Sequence, residues 1–217
     1  MATSSDNIQG IQLNCRSIYN KKEEIHQILL DFNLTFAALS ETWIKQHYLP
    51  KFNGYHEYYQ NRTTELGGGL AILIKRGFPH ELLSLDPYPN GVLEYQAVKL
   101  YFSNNQKLVL LNIYNPNQAL TEQEFLHYIN QLGTTYIITG DFNAHSPILD
   151  DSVPRPDATG KTIEKVLLEH DLCLINPPNF YTRVQYTSGR IVKSCLDLTF
   201  SSNNFAHKTS LDFFPRL

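Results

Sequence analysis

Apolar and polar positions alternate from Ile8 to Leu13, a two-residue period that predicts a half-buried strand ending at Asn14-Cys15-Arg16-Ser17. From Lys21 to Phe32 the period changes: Ile25, Ile28, Leu29 and Phe32 recur at helical spacing and predict an amphipathic helix. Thr35 to Leu39 predicts a small apolar strand that ends on Ser40-Glu41-Thr42-Trp43, and Tyr55 to Tyr59 an edge strand. Leu70 to Ile74 is an unbroken aliphatic run, as in a strand covered on both faces. The Gly67-Gly68-Gly69 triplet before it ends the loop from Arg62. It opens a strand rather than a helix, and no Gly-Lys-Ser/Thr follows, so it reads as a turn and not as a phosphate-cradling loop.

Val92 to Leu100 and Lys107 to Tyr114 predict a hairpin around Ser103-Asn104-Asn105-Gln106, with Asn115-Pro116-Asn117 after the second strand. Thr121 and Glu124 have capping-box spacing for a helix reaching about Leu132. Tyr136 to Thr139 predicts a buried strand, punctuated by Gly140 and followed by Asp141-Phe142-Asn143-Ala144-His145. If the backbone stays extended, Asp141 and Asn143 point to one side and Phe142 to the other. Ser146 to Asp157 predicts a long surface loop, Thr159 to His170 a helix, and Leu172 to Ile175 a strand. Turns at Pro177-Pro178-Asn179 and Ser188-Gly189-Arg190 lead to a last strand, Leu196 to Phe200, with Ser194 and Asp197 at its start. Uneven alternation of strands with three helices, hairpins included, favours a layered α/β or α+β fold with mixed sheets over a doubly wound one.

Composition narrows this little. A chain of 217 residues with 42% hydrophobic and 18% charged residues suggests one globular domain. Apolar runs such as Leu108-Val109-Leu110-Leu111 are too short to span a bilayer, and Met1 to Asp6 lacks the pattern of a secretory signal. Cys15, Cys173 and Cys195 are odd in number and not in metal-ligand spacing, which fits reduced residues of an intracellular protein. A net charge of −3 neither supports nor excludes nucleic acid. Basic groups at Lys75-Arg76, at Arg155 with Lys161 and Lys165, and at Arg183, Arg190 and Lys193 read singly as solvated charge.

Polar chemistry follows strand after strand: Asn14, Glu41, Tyr114, the Asp141/Asn143 pair and Asp197. Each has a plain explanation. Gly-Asp-Phe-Asn is also a turn sequence, Asn14 caps a turn, Glu41 caps a helix starting near Thr42, Tyr114 is a core ring, and Asp197 pairs with Arg190 or Lys193. Together they suit a metal-assisted phosphodiesterase. A carboxylate such as Glu41 offers oxygen to a hard divalent ion, an Asp activates water, and Asn and Tyr donors stabilise growing phosphate charge.

In order, Leu13-Asn14-Cys15-Arg16-Ser17, Ser40-Glu41-Thr42-Trp43, Gly68-Gly69-Leu70-Ala71-Ile72-Leu73-Ile74, Tyr114-Asn115-Pro116-Asn117, Gly140-Asp141-Phe142-Asn143-Ala144-His145 and Ser194-Cys195-Leu196-Asp197-Leu198-Thr199-Phe200 resemble the endonuclease/exonuclease/phosphatase superfamily. Within it they look most like the apurinic-type endonuclease domain of non-LTR retrotransposons. The resemblance implies a DNase I-like four-layer α/β sandwich, two packed mixed β-sheets flanked by helices, spanning residues 8–205 after a disordered 1–7. It implies a Mg²⁺-dependent (or Mn²⁺-dependent) endonuclease that nicks double-stranded DNA so that the 3′ hydroxyl primes a reverse transcriptase of the same element. It also implies a nuclear location and a monomer away from membranes.

By that pattern Glu41 ligates the metal beside Asn14, Asp141 activates water, and Asn143 and Tyr114 contact the scissile phosphate. Asp197 orients a catalytic histidine, and Arg62, Asn117, Arg190 and Lys193 lie towards the DNA. The family also carries Ser-Asp-His on a further strand, and no such motif occurs in this sequence. His207 follows Phe205-Ala206 instead, and His145 belongs to the Asp141 motif as a peripheral residue. The resemblance therefore implies a missing last strand, a non-native tail at 206–217 and a rate lowered by several orders of magnitude. The rival expectations are abasic-site repair, phosphomonoester hydrolysis and a non-catalytic remnant.

Overall fold

The computed structural model describes residues 8–45, 48–62, 67–103, 105–187 and 189–212. The expected disordered 1–7, part of the loop after Arg62, Asn104, Ser188 and the end of the tail lie outside these.

Strand β1 (Gly10–Asn14) leads into helix α1 (Ile18–Asp31), which starts before Lys21 because the carbonyls of Glu41 and Thr42 accept from Ser17 and Ile18 N–H at 2.9 and 3.0 Å. That supplies partners the helix cannot supply itself. β2 (Phe36–Ser40), β3 (Tyr55–Gln60) and β4 (Leu70–Lys75) join β1 in a mixed sheet of order β1-β2-β4-β3, in which only β1 and β2 are parallel. Helix α1 covers its outer face, packing Ile18, Ile25, Ile28 and Leu29 on Ile11, Ala37, Leu39 and Leu73.

The second sheet has order β5-β6-β7-β8-β12-β9, from β5 (His80–Leu83), β6 (Glu94–Tyr101), β7 (Lys107–Tyr114), β8 (Tyr136–Asp141), β9 (Leu172–Leu174) and β12 (Asp197–Ser202). β7 and β8 are parallel and the other neighbours antiparallel. Its outer face carries α2 (Glu122–Ile129) and α3 (Ala158–Glu169), whose Phe125, Tyr128, Ile163 and Val166 close over Leu111, Ile113, Ile138 and Phe200. β10 (Arg183–Thr187) and β11 (Arg190–Ser194) form a separate hairpin, and α4 (Asn203–Ala206) is a single turn. Helix, sheet, sheet and helices thus make four layers. No helix among the described residues is long and apolar enough to cross a membrane.

Some expectations shift. β5 was not legible, since His80-Glu81-Leu82-Leu83 has no clean alternation and is extended by pairing with β6. β6 begins at Glu94 rather than Val92, because Glu124 Oε1 takes the Val92 and Leu93 N–H groups at 2.7 and 2.9 Å. Only half the capping box forms: Thr121 Oγ1 accepts from Glu124 N at 3.2 Å, but the Glu124 carboxylate serves β6. Glu41 caps no helix, as 41–45 is irregular.

The inner face of the second sheet is ordered in rows. Register aligns Glu94, Tyr114, Asp141 and Asp197 in one row across β6, β7, β8 and β12. The next row is Gln96, Asn112, Thr139 and Thr199, neutral and polar. Beyond it, Val98, Leu110, Leu100 and Leu108 pack with Ile72 and Ile74 of the facing sheet. Polarity therefore rises towards one end of the sandwich. At the other end a groove of about 1330 Å³ runs between the sheets, bounded by Gly10, Phe36, Phe102, Ile137 and Phe205, with β1 at the sheet edge.

Candidate active site

Every element of the first sheet brings its matching end to the Glu94–Tyr114–Asp141–Asp197 row. Asn14 ends β1, Glu41 follows β2, Arg62 follows β3 and Gly69 precedes β4. The Asn14 amide bridges the sheets, with Nδ2 donating to Glu41 Oε1 and Asp141 Oδ2, both at 2.6 Å. Both amide protons are thereby used, and Asn14 Oδ1 accepts from Arg16 N at 3.2 Å.

Asp141 is 3% exposed. Its Oδ1 accepts from Asn143 N at 3.0 Å, so the two residues are joined by an Asx-type turn. This corrects the extended alternation expected beyond Gly140: β8 stops at Asp141, and Asn143 sits at φ 45. Phe142 still turns into the core, against Phe125 and Phe200. Asn143 Nδ2 donates to Asn115 O at 2.8 Å, tying the turn to the end of β7. Gly140 is required because a Cβ there would lie 1.9 Å from Ile113 O, at φ 148.

Burial, then the Asp197 carboxylate and more weakly Glu41, push the Asp141 pKa from 3.8 to about 7, against the Asn14 and Asn143 bonds that lower it. Asp197 is likewise raised, first by burial and then by Glu41, with Gln12 and Thr182 opposing. Burial, Glu41 and Asp141 raise the Tyr114 hydroxyl, which keeps it a proton donor. Asn14 thus bridges Glu41 and Asp141, and the Asp141 carboxyl is kept from ionising by burial and by its acidic neighbours Asp197 and Glu41.

Asp197 Oδ1 accepts from Gln12 Nε2 at 2.8 Å, and its backbone N–H donates to Thr182 Oγ1 at 3.0 Å. No ion pair with Arg190 or Lys193 is recorded among the described residues. No histidine partner of Asp197 is recorded among them either: His207 follows α4 beyond the far end of β12, and His145 is exposed. His145 contributes its backbone, N–H to Asp157 Oδ2 at 3.1 Å and carbonyl to Asp157 N at 3.0 Å, pinning the motif to the N-cap of α3.

The other expected contacts divide. Arg62 Nε donates to Glu94 Oε1 at 2.6 Å, and its guanidinium lies 5.8 Å from the Tyr114 ring centroid, so it braces Tyr114. Glu94 Oε2 also accepts from Gly69 N at 2.6 Å. Arg190 and Lys193 lie exposed on β11, with Lys193 Nζ 5.2 Å from the Tyr181 ring, and Asn117 is exposed at φ 60. Gln12, Glu94, Asn112 and Thr182 join the site without having been legible in the sequence as site residues. Fully buried Asn112 donates to Leu39 O and Ala71 O at 3.0 and 3.3 Å, stitching the sheets together beneath the site. A polar residue two positions from a site residue on the same strand face was the available signal: Gln12 before Asn14, and Asn112 before Tyr114.

Among the described residues, the metal-ligating groups with ligand atoms all within 4.8 Å are Glu122, Glu169 and His170 on the outer helices. Lys165 lies 2.7 Å from Glu122 there, and the group reads as a surface ion network. The inner row is more open. Its all-oxygen, carboxylate-rich donor set, with two acids raised by burial and neighbouring carboxylates, nevertheless suits a hard divalent cation.

Two mixed sheets back to back, helices outside and polar strand ends gathered at one end define a DNase I-like fold. Residues 108–215 match the family described as endonuclease-reverse transcriptase. Over those residues the chain is similar to that endonuclease-reverse transcriptase family, and its fold is the DNase I-like one. Among solved structures it resembles the endonuclease domain of TRAS1, a telomere-specific non-LTR retrotransposon, with TM-score 0.73 and 17% identity over 93% of this chain and 88% of that one. It also resembles AP endonuclease LMAP from Leishmania major, with TM-score 0.69 and 14% identity over 91% and 79%. For an AP endonuclease from Archaeoglobus fulgidus the TM-score is 0.64, with 13% identity over 93% and 89%. Curated proteins give no match to the sequence.

Proposed function

We propose that this domain is a Mg²⁺- or Mn²⁺-dependent DNA endonuclease of a non-LTR retroelement, which nicks one strand of duplex DNA and leaves a 3′ hydroxyl to prime a reverse transcriptase. The observation that carries the reading is the row Glu94–Tyr114–Asp141–Asp197 facing Asn14 and Glu41 across the sandwich. Glu41, with Asn14 bonded to its Oε1, would hold the cation, which when bound supplies positive charge against the phosphate. Asp141, raised to about 7, takes a proton from the attacking water near neutral pH. The Tyr114 hydroxyl and the Asn143 amide donate to phosphate oxygens, and Arg62 holds the Tyr114 ring in place.

The β10–β11 hairpin offers Arg190 and Lys193 beside exposed Val184, Tyr186 and Ile191, and with Asn117 it contacts the DNA beyond the cut. The enzyme acts as a monomer in the nucleus. By the family's pattern Asp197 orients the histidine of a Ser-Asp-His motif, and its Oδ1 accepts from Gln12 Nε2. The test uses supercoiled plasmid and a form of the protein extended by a family Ser-Asp-His strand. Mg²⁺-dependent open circles whose nicks a DNA polymerase extends support the proposal. Cleavage confined to abasic sites, or nicks that do not prime, would overturn it.

A further inference from the structure

Trp43 is the single tryptophan of the chain and lies two residues past Glu41. Glu41 and Trp43 hold φ 50 and 53 on either side of Thr42, which is fully buried. The backbone is pinned from two directions. Thr42 and Trp43 N–H donate to the Gly69 and Gly68 carbonyls at 3.1 and 3.0 Å, while Glu41 and Thr42 carbonyls accept from the start of α1. The indole does not follow Thr42 into the core. It is 43% exposed, with its pyrrole edge towards Gly67, where a Cβ would lie 3.5 Å from Nε1. The glycine triplet therefore has a purpose beyond a turn: a Cβ on Gly69 would meet Thr42 Oγ1 at 2.7 Å, and one on Gly68 would meet Arg62 and Glu94 at 2.5–2.6 Å.

We infer that Trp43 is a stacking platform for an unstacked nucleobase next to the scissile phosphate, which makes locally opened DNA the substrate class. The inference rests on the nuclease reading above. Two residues of chain separate the Cα atoms of Glu41 and Trp43 by at most ~7 Å, comparable with the reach from a phosphate to a base one nucleotide away. A large exposed aromatic on a fixed backbone offers a flat face with little ordering cost on binding. Every base has a complementary π face. In an intact duplex those faces are covered by neighbouring bases, so Trp43 reaches one only where the helix is mispaired, frayed or opened.

The experiment uses the full chain with Mg²⁺ and end-labelled phosphorothioate oligonucleotides: a paired duplex, the same duplex with a mispaired bubble, and the bubble with its bases removed. Anisotropy reports binding, and Trp43 emission reports stacking. The inference expects quenching by the bubble well beyond that by the paired or base-free forms. It expects Trp43→Ala to weaken bubble binding on the order of ten-fold, with Trp43→Phe retaining most of it. If Trp43→Ala does not melt cooperatively, quenching of the unaltered chain and the Trp43→Phe affinity decide. Bubble binding that leaves the emission unchanged, or equal quenching by the base-free form, overturns the stacking role and leaves the nuclease reading standing. Failure to bind any of the three oligonucleotides overturns both.

Discussion

Asp141 is a carboxyl whose environment works against its ionisation, and that has a sign. Below pH 3.8 it is protonated in both folded and unfolded chains. Between 3.8 and about 7 the unfolded chain releases the proton while the folded one keeps it, so stability falls as pH rises, and the loss is complete above about 7. In chelator-containing buffer the melting temperature of the wild type should therefore drop between pH 5 and 7.5, and Asp141→Asn should flatten that drop. Equal slopes for the two proteins would contradict the assignment. The cysteines make a second prediction at this scale. Burial pushes the Cys15 thiol up to about 12 and the Cys195 thiol up to about 11, whereas Cys173 is half-exposed. Mass spectrometry after alkylation at pH 8 should find Cys173 modified first and the other two only on unfolding. The residue identities of the site were legible because each stands at a strand end. Their partners were not: that Asn14 bridges Glu41 and Asp141, or that Gln12 meets Asp197, depends on the stacking of two sheets that no local pattern encodes.

Elements read well where one period dominated and poorly where a distant group decided. The aliphatic β4 and β7 and the amphipathic α1 were plain, while β5 exists through its pairing with β6, and the start of β6 is set by the Glu124 carboxylate on α2. Gly140 is where element geometry is least forgiving. Gly140→Ala should cost more than the ~1–3 kcal/mol usual for backbone strain, since the methyl meets Ile113 O within β7. Denaturant melts measure this, and a change below 1 kcal/mol would show that β7 and β8 can part. Asp157 links α3 to the Asp141 motif through Gly160 N at 2.6 Å and His145 N at 3.1 Å. Asp157→Ala should cost about 1 kcal/mol, as for other lost N-caps, and should lower any nicking rate by more than that stability loss explains. A purely structural cap would leave the rate per folded molecule unchanged.

At the scale of the molecule, two sheets divide the work: one supplies Asn14, Glu41 and Arg62, the other Tyr114, Asp141 and Asp197, and the polar row below them grades into apolar packing. The layered mixed-sheet fold was legible from strand and helix order; the groove beside β1 was not, because its walls come from segments far apart in the chain, from Gly10 and Phe36 to Phe102, Ile137 and Phe205, that only the assembled sandwich brings together. Among the described residues β1 ends the first sheet, and an uncovered strand edge promotes association between chains, so a Ser-Asp-His strand appended to pair there should raise the melting temperature and suppress concentration-dependent association. The most direct measurement is the Mg²⁺-dependent nicking rate of supercoiled plasmid by that extended protein, by its Glu41→Gln variant and by the chain of 217 residues. Nicking by the extended protein is expected, with Glu41→Gln and the unextended chain slower by roughly a thousand-fold or more. An extended protein that leaves the plasmid supercoiled, or nicks it equally well after Glu41→Gln, would contradict the endonuclease reading.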